Sequence, residues 1–147
     1  MQYLGLDPGY GRLGFGIIEV SSSNQPRALD YGIIETSSKE SEAARVLTLE
    51  KKLLELLEGR ELALCAIEKV FFRKNLTTGV KLLQARGVLL LTLERLNLSM
   101  KEVTPSALKR TLTGHGSAKK AQLQRIIMKL LNLEQIPKPD DAADALG

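Results

Sequence analysis

The first apolar run, QYLGLD at residues 2–7, has the length of a buried strand, and GFGIIEV (14–20) and RALDYGIIET (27–36) follow it with the polar turn SSSNQP between them. Three such runs joined by tight turns predict an antiparallel meander. The period then changes. Over residues 41–58 the apolar residues Val46, Leu49, Leu53, Leu56 and Leu57 recur at three and four, with Glu42, Arg45, Lys52, Glu55 and Glu58 on other faces, so an amphipathic helix ending at Gly59 is expected. ELALCAIE (61–68) reads as another buried strand, again finishing on an acid.

Residues 75–96 have helical length, but GVLLLTL is apolar almost all the way round. More than one face of this helix must then be covered, and a subunit interface is one source of cover. LSMKEVTP (98–105) reads as a last strand and SALKRTL (106–112) as a short helix. GHGS is a loop whose Ser117 caps a helix running to residue 131. In that helix Leu123, Ile126, Ile127, Leu130 and Leu131 are expected inside, with Lys119, Lys120, Gln122, Arg125 and Lys129 outside. Pro139 opens a final helix in IPKPDDAADALG. The order predicts an α/β protein with a mixed sheet covered by helices.

At 147 residues the chain is expected to form one domain, and 44% hydrophobic with 26% charged residues is the composition of a soluble globular protein. No long apolar run or basic leader is present, so a cytoplasmic location is expected, with no membrane partner. The single cysteine, Cys65, sits in the apolar stretch LALCAI, which excludes an internal disulfide framework and a cysteine zinc site. Charge divides the chain. Residues 1–68 carry 7 Lys and Arg against 11 Asp and Glu, whereas residues 69–147 carry 14 against 6. Between 69 and 129 only Glu94 and Glu102 oppose 13 basic residues, so the expected partner is a polyanion.

The acids fall where ligands bind. Asp7 and Glu68 each end an apolar strand, and open α/β sheets bind ligands at the carboxyl ends of their strands. DDAAD adds Asp140, Asp141 and Asp144, in which the 141/144 and 140/144 pairs can each share a helix face. Carboxylates so crowded need a cation, and Mg²⁺ with its oxygen ligands suits them. A pair of such ions about 3.5–4 Å apart stabilises both the attacking and the leaving oxygen in phosphodiester cleavage. Beside a basic stretch, the acids point to a metal-dependent nuclease.

LGLDPGYGRLGFGII, AIEKVFFRKN, KLLQARGV, TPSALKRTLTGHGSAKKAQ and DDAADAL, in that order and over essentially the whole chain, resemble the successive motifs of the RuvC family of Holliday-junction resolvases. The resemblance implies a ribonuclease H-like fold: a mixed five-stranded sheet, three antiparallel strands and then two parallel ones, flanked by helices, as one domain over 1–147. It implies a homodimeric endonuclease that resolves four-way DNA junctions by paired symmetric nicks in recombination and repair, and a branch-migration complex as a further partner. Mg²⁺, with Mn²⁺ as a substitute and two ions per site, would be held by Asp7, Glu68, Asp141 and Asp144, leaving Asp140 a bystander. Some relatives have histidine at the position of Asp141, which makes it the most replaceable ligand. Lys109 and Lys120 match the family's basic residues near the scissile phosphate, with Lys120 counted among the catalytic groups. Phe71 matches an aromatic used against unpaired bases near the crossover, although Phe72 is its alternative; Arg73, Lys74, Lys81 and Lys119 complete the expected DNA-binding set. His115, between two glycines, is a candidate for proton transfer or phosphate contact. Family members continue beyond DAADAL, so the C-terminal helix is expected to be truncated at Gly147. Three other readings compete: an actin-like ATPase phosphate loop, a junction-binding module without catalysis, and a ribonuclease H-like enzyme acting on RNA.

Overall fold

The computed structural model describes residues 1–9, 11–69 and 76–147, with side chains from Gly79 onward in the last span. Its elements are β1 (Gln2–Pro8), β2 (Arg12–Val20), β3 (Pro26–Glu35), α1 (Glu42–Leu57), β4 (Leu62–Glu68), α2 (Leu76–Arg95), β5 (Met100–Val103), α3 (Pro105–Thr113), α4 (Lys120–Leu130) and α5 (Asp140–Leu146). The sheet has the order β3-β2-β1-β4-β5, with β1, β2 and β3 antiparallel and β4 and β5 parallel to β1. Among the described residues no helix is long and apolar enough to cross a membrane.

Each face of the sheet has its own core. On one side Leu49, Leu53 and Leu57 of α1 and Leu89 and Leu93 of α2 pack on Leu4, Leu6, Leu13, Ile17, Cys65 and Ile67. On the other, Leu123, Ile127 and Leu131 cluster with Leu146 of α5, Ile18 of β2 and Leu108 of α3.

The glycines of the first hairpin build the second face. Gly5 of β1 pairs with Gly16 of β2, and Gly14 lies opposite Asp7, so a strip of sheet carries no side chain. α5 lies directly on that strip. A Cβ at Gly5 would overlap the Ala145 carbonyl, one at Gly14 would overlap the Asp141 carbonyl, and one at Gly16 would come within 2.8 Å of Leu146 Cδ2. Ala142, Ala143 and Ala145 are buried in this contact. Small residues on both sides bring helix backbone against sheet backbone.

Four sequence expectations are corrected. β2 begins at Arg12 rather than 14, because the hairpin pairs Arg12 with Glu35 and Leu13 with both Pro8 and Ile34. β5 stops at Val103: the Thr104 hydroxyl accepts the Ala107 N–H at 3.1 Å and so caps α3, which Pro105 opens. Ser117 is not a cap. Ser117 lies in a turn that the Ala118 N–H closes onto the His115 carbonyl, and extended Lys119 precedes α4 without a side-chain capping bond. Leu130 is 50% exposed, because the i, i+4 row of Leu123, Ile127 and Leu131 takes the inward face and one residue rotates the helix by about 100°.

α2 buries Leu89 and Leu93 yet leaves Val80, Leu83 and Leu91 about half exposed, so its second apolar face is open in the single chain. The glycine strip yields a direct expectation. Gly5→Ala should destabilise the protein by roughly 1–3 kcal/mol, the usual cost of overpacking, and chemical denaturation against the parent chain measures it. An unchanged midpoint would show that α5 does not rest on the strip.

Candidate active site

Side-chain alternation decides where the strand-end acids point. In β1, Leu4 and Leu6 enter the core beneath α1 and α2, so Gly5 and Asp7 belong to the α5 face. β4 has the same parity: Cys65 and Ile67 go to the core, leaving Ala66 and Glu68 on the side of α5. Because β1 and β4 are parallel neighbours with Leu6 opposite Ile67, both acids reach one end of the sheet. α5 adds Asp141 and Asp144, three residues apart on one helix face.

The consequence is electrostatic. Burial pushes the Asp7 carboxyl up from 3.8 to about 7; the charge of Glu68, a hydrogen bond shared with it, and then the charges of Asp144 and Asp141 add to the rise. The structure therefore brings Glu68, Asp141 and Asp144 to bear on one carboxylate, that of Asp7.

Cations frame the acids. Lys120, the first residue of α4, donates a hydrogen bond to Asp144 Oδ2 at 2.8 Å and stands 3.3 Å from Asp140 Oδ2. Desolvation pulls its pKa down, but the hydrogen bonds and charges of Asp144 and Asp140 outweigh it and hold the ammonium above the ordinary lysine value. Asp140, expected as a bystander, belongs to this frame. Its carboxyl is held below the usual range by Lys120 and also accepts the Gln124 Nε2–H at 3.2 Å.

Arg12 is a residue the sequence reading missed. Its Nη1 lies 3.6 Å from Asp141 Oδ2 and its Nε 3.4 Å from Glu35 Oε1. Its signal appears only with the hairpin register: Gly14 faces α5, and Arg12, two residues earlier in β2, faces the same way.

The remaining expected residues scatter. Lys81 is paired with Glu42 at 2.9 Å and lines a cavity with Pro8, Gly9, Arg12 and Leu89. Lys109 lies on α3 and Lys119 just before α4, and among the described residues neither forms an ion pair with the acids. His115 is exposed, its backbone N–H donating to Thr113 Oγ1 at 3.1 Å. Phe71, Phe72, Arg73 and Lys74 lie outside the described residues.

Among the described residues no three acids form a ready-made ion cage. The donor set still suits a hard divalent cation: its donors are all carboxylate oxygens, and the repulsion of Glu68, Asp144 and Asp141, which adds to burial in raising Asp7, is relieved by positive charge.

A mixed five-stranded sheet in this order, with acids ending two adjacent strands and a helix-borne pair laid across them, defines a ribonuclease H-like fold of the nuclease class. The family model for the crossover junction endodeoxyribonuclease RuvC matches residues 3–147. The RuvC of Petrotoga mobilis is 44% identical over 147 residues, covering 100% of this chain and 90% of its own. That of Thermotoga petrophila is 46% identical, covering 100% and 88%. The solved structure of Thermus thermophilus RuvC superposes with a TM-score of 0.90 at 29% identity, over 99% of this chain and 89% of that one. The same protein in complex with Holliday junction substrate gives 0.90 at 26% identity, over 99% and 89%. The chain belongs to the RuvC family of crossover junction endodeoxyribonucleases.

The Asp7 shift makes a prediction about pH. In the unfolded chain this carboxyl ionises near 3.8 and in the folded protein near 7, so between those values the folded state holds a proton that the unfolded state lacks. Stability from this group is therefore present at low pH and falls as pH rises toward 7. In EDTA at pH 8, Asp7→Asn should be more stable than the parent by about 2 kcal/mol, after discounting for solvent screening. The advantage should fall to under half by about pH 5 and vanish only below the unfolded value of 3.8, which thermal melts at about pH 8, 5 and 3.5 will show.

Proposed function

We propose that this protein hydrolyses a phosphodiester in four-way DNA junctions, with Asp7, Glu68, Asp141 and Asp144 holding divalent metal. The observation that carries the reading is the crowding of these acids on Asp7, at the end of a sheet whose fold and family are those of RuvC. The junction as substrate is supported by the complex of Thermus thermophilus RuvC with a Holliday junction.

When bound, Mg²⁺ or Mn²⁺ would supply Lewis-acid activation of water and stabilisation of the leaving oxygen, and Asp7, Glu68, Asp141 and Asp144 are the residues that would hold two such ions. This chain's own residues do the rest. Glu68 completes the ligand set from β4, and Asp141 and Asp144 complete it from α5. Lys120 keeps a positive charge beside Asp144 and Asp140 at the rim, where it offsets the charge of the carboxylates toward a phosphodiester. Water adds to phosphorus as the bond to the 3′ oxygen breaks, leaving a 5′-phosphate and a 3′-hydroxyl.

Symmetric nicking needs two such sites, and α2 supplies a surface for a second copy. Val80, Leu83, Gly87 and Leu91 recur at three and four along one helix face, and the three with apolar side chains are about half exposed. Gly87 has nothing within 4 Å of where its Cβ would stand, so a partner helix can approach closely there. The partner is a second copy of this chain, as paired cuts require.

On a synthetic four-way junction the protein should cut with Mg²⁺ and not in EDTA. Asp7→Asn should lower the rate by on the order of 100-fold or more while leaving junction binding intact, because binding rests on the basic residues. Normal cutting by this variant would remove the assignment, and equal cutting of plain duplex or of an RNA–DNA hybrid would remove the junction as substrate. The double substitution Leu83→Glu with Leu91→Glu should convert a dimer into a folded monomer in sedimentation velocity and abolish paired nicks.

A further inference from the structure

A cleft of about 730 Å³ opens on the α5 side of the sheet end, lined by Arg12, Lys120, Lys138, Pro139, Asp140 and Asp141. Its three cations come from separate parts of the chain: the first residue of β2, the first residue of α4, and the segment leading into α5. Fold stability does not explain them. Arg12 is half exposed and stands 3.4 and 3.6 Å from its carboxylates, wider than the roughly 2.7–2.9 Å of a charge-assisted hydrogen bond. Such exposed pairs contribute roughly 0–1 kcal/mol. Lys138 is exposed and makes no ion pair among the described residues.

We propose that this cleft seats the DNA backbone on one side of the scissile phosphate, with Arg12 and Lys138 each contacting a phosphate. The inference rests on the nuclease reading above and adds to it a strand path and two residues. Arg12 on β2 and Glu68 on β4 flank Asp7 on β1, and neighbouring strands lie about 4.8 Å apart. A cation on the β2 side is therefore offset from Asp7 and Glu68, at the Asp141 edge of the site, and meets a neighbouring phosphate rather than the reacting one. The strand crosses the sheet end from the β2 side toward β4. The guanidinium of Arg12 suits two phosphate oxygens at once, and Lys138 acts as a point charge beyond it.

A rival role for Arg12 is to neutralise Asp141 and nothing more. Salt dependence separates the two, because each phosphate contact displaces counterions. Binding of a synthetic four-way junction in EDTA is measured for the full chain between 50 and 200 mM salt. For each bound protomer, Arg12→Gln and Lys138→Gln should each reduce the slope of log K against log salt by about one, and the double variant by about two, with affinity falling about 5- to 10-fold per residue near 0.1 M. Arg12→Lys should keep the parental slope. Lys51→Gln, an exposed cation on α1 at the opposite face, serves as the control and should also keep it. Parental slopes in both single variants and the double variant overturn the inference, as does an equal loss in the Lys51 control. Cleavage with Mg²⁺ is run on the parent in parallel. A parent that cuts while the slopes stay put removes only the cleft; a parent that neither binds nor cuts junctions removes the nuclease reading and the cleft together.

Discussion

The site depends on a helix lying closer to a sheet than side chains normally allow. α5 has seven residues, too few to hold helical form unaided, so it exists because it is docked. Its dock is the strip of Gly5, Gly14 and Gly16, whose missing Cβ atoms admit the carbonyls of Asp141 and Ala145 and the side chain of Leu146. Each glycine inside a strand weakens that strand by roughly 0.5–1 kcal/mol. Burial of Ala142, Ala143, Ala145 and Leu146 offsets that loss. Without the strip α5 would ride higher, and Asp141 and Asp144 would stand clear of Asp7.

The same contact is opposed by charge. Seating α5 presses Asp141 and Asp144 toward Asp7 and Glu68, and their charges add to the burial and the Glu68 contact that raise the Asp7 carboxyl. Lys120 moderates it by bridging Asp144 and Asp140, while Gln124 on the next turn of α4 steadies Asp140. Arg12 does likewise for Asp141 from β2. Apolar packing thus holds a cluster of like charges whose repulsion is only partly cancelled within the protein, and the remainder is available to a divalent cation. The basic second half of the chain works at longer range, drawing a polyanion to a site whose acids would otherwise repel it.

Much of this arrangement could be read from residue order. The change from period two to period three and four placed the strands and α1, and the strand-end positions of Asp7 and Glu68 put both acids at the ligand-binding end of the sheet. LGLD and CAIE share one grammar: core apolar, small, core apolar, acid. Other features depend on partners that periodicity does not contain. Whether Leu130 faces in or out turns on which of two overlapping apolar rows meets the sheet, and the row of Leu123, Ile127 and Leu131 prevails. Ser117 has the chemistry of a cap, but the loop reaches the helix two residues later. Arg12 becomes visible only once the hairpin register is known, and the depth of α5 only once the glycines are seen to face it rather than merely to turn the chain.

Register is therefore where folding and chemistry meet. Because strand side chains alternate, slipping β1 by one residue would drive Asp7 into the leucine core beneath α1 and α2 and turn Leu6 toward α5. Two independent constraints forbid the slip. The tight turn from β1 to β2, in which the Gly9 N–H donates to the Arg12 carbonyl at 2.9 Å, fixes the antiparallel side. Parallel pairing with β4 fixes the other, setting Leu6 against Ile67 so that both strands send their large residues to one face. A slipped β1 would also set leucine side chains against the α5 backbone, where only glycine fits. The register that buries the core is thus the one that seats α5 and gathers the acids, so a chain that has packed its core has already aimed its carboxylates.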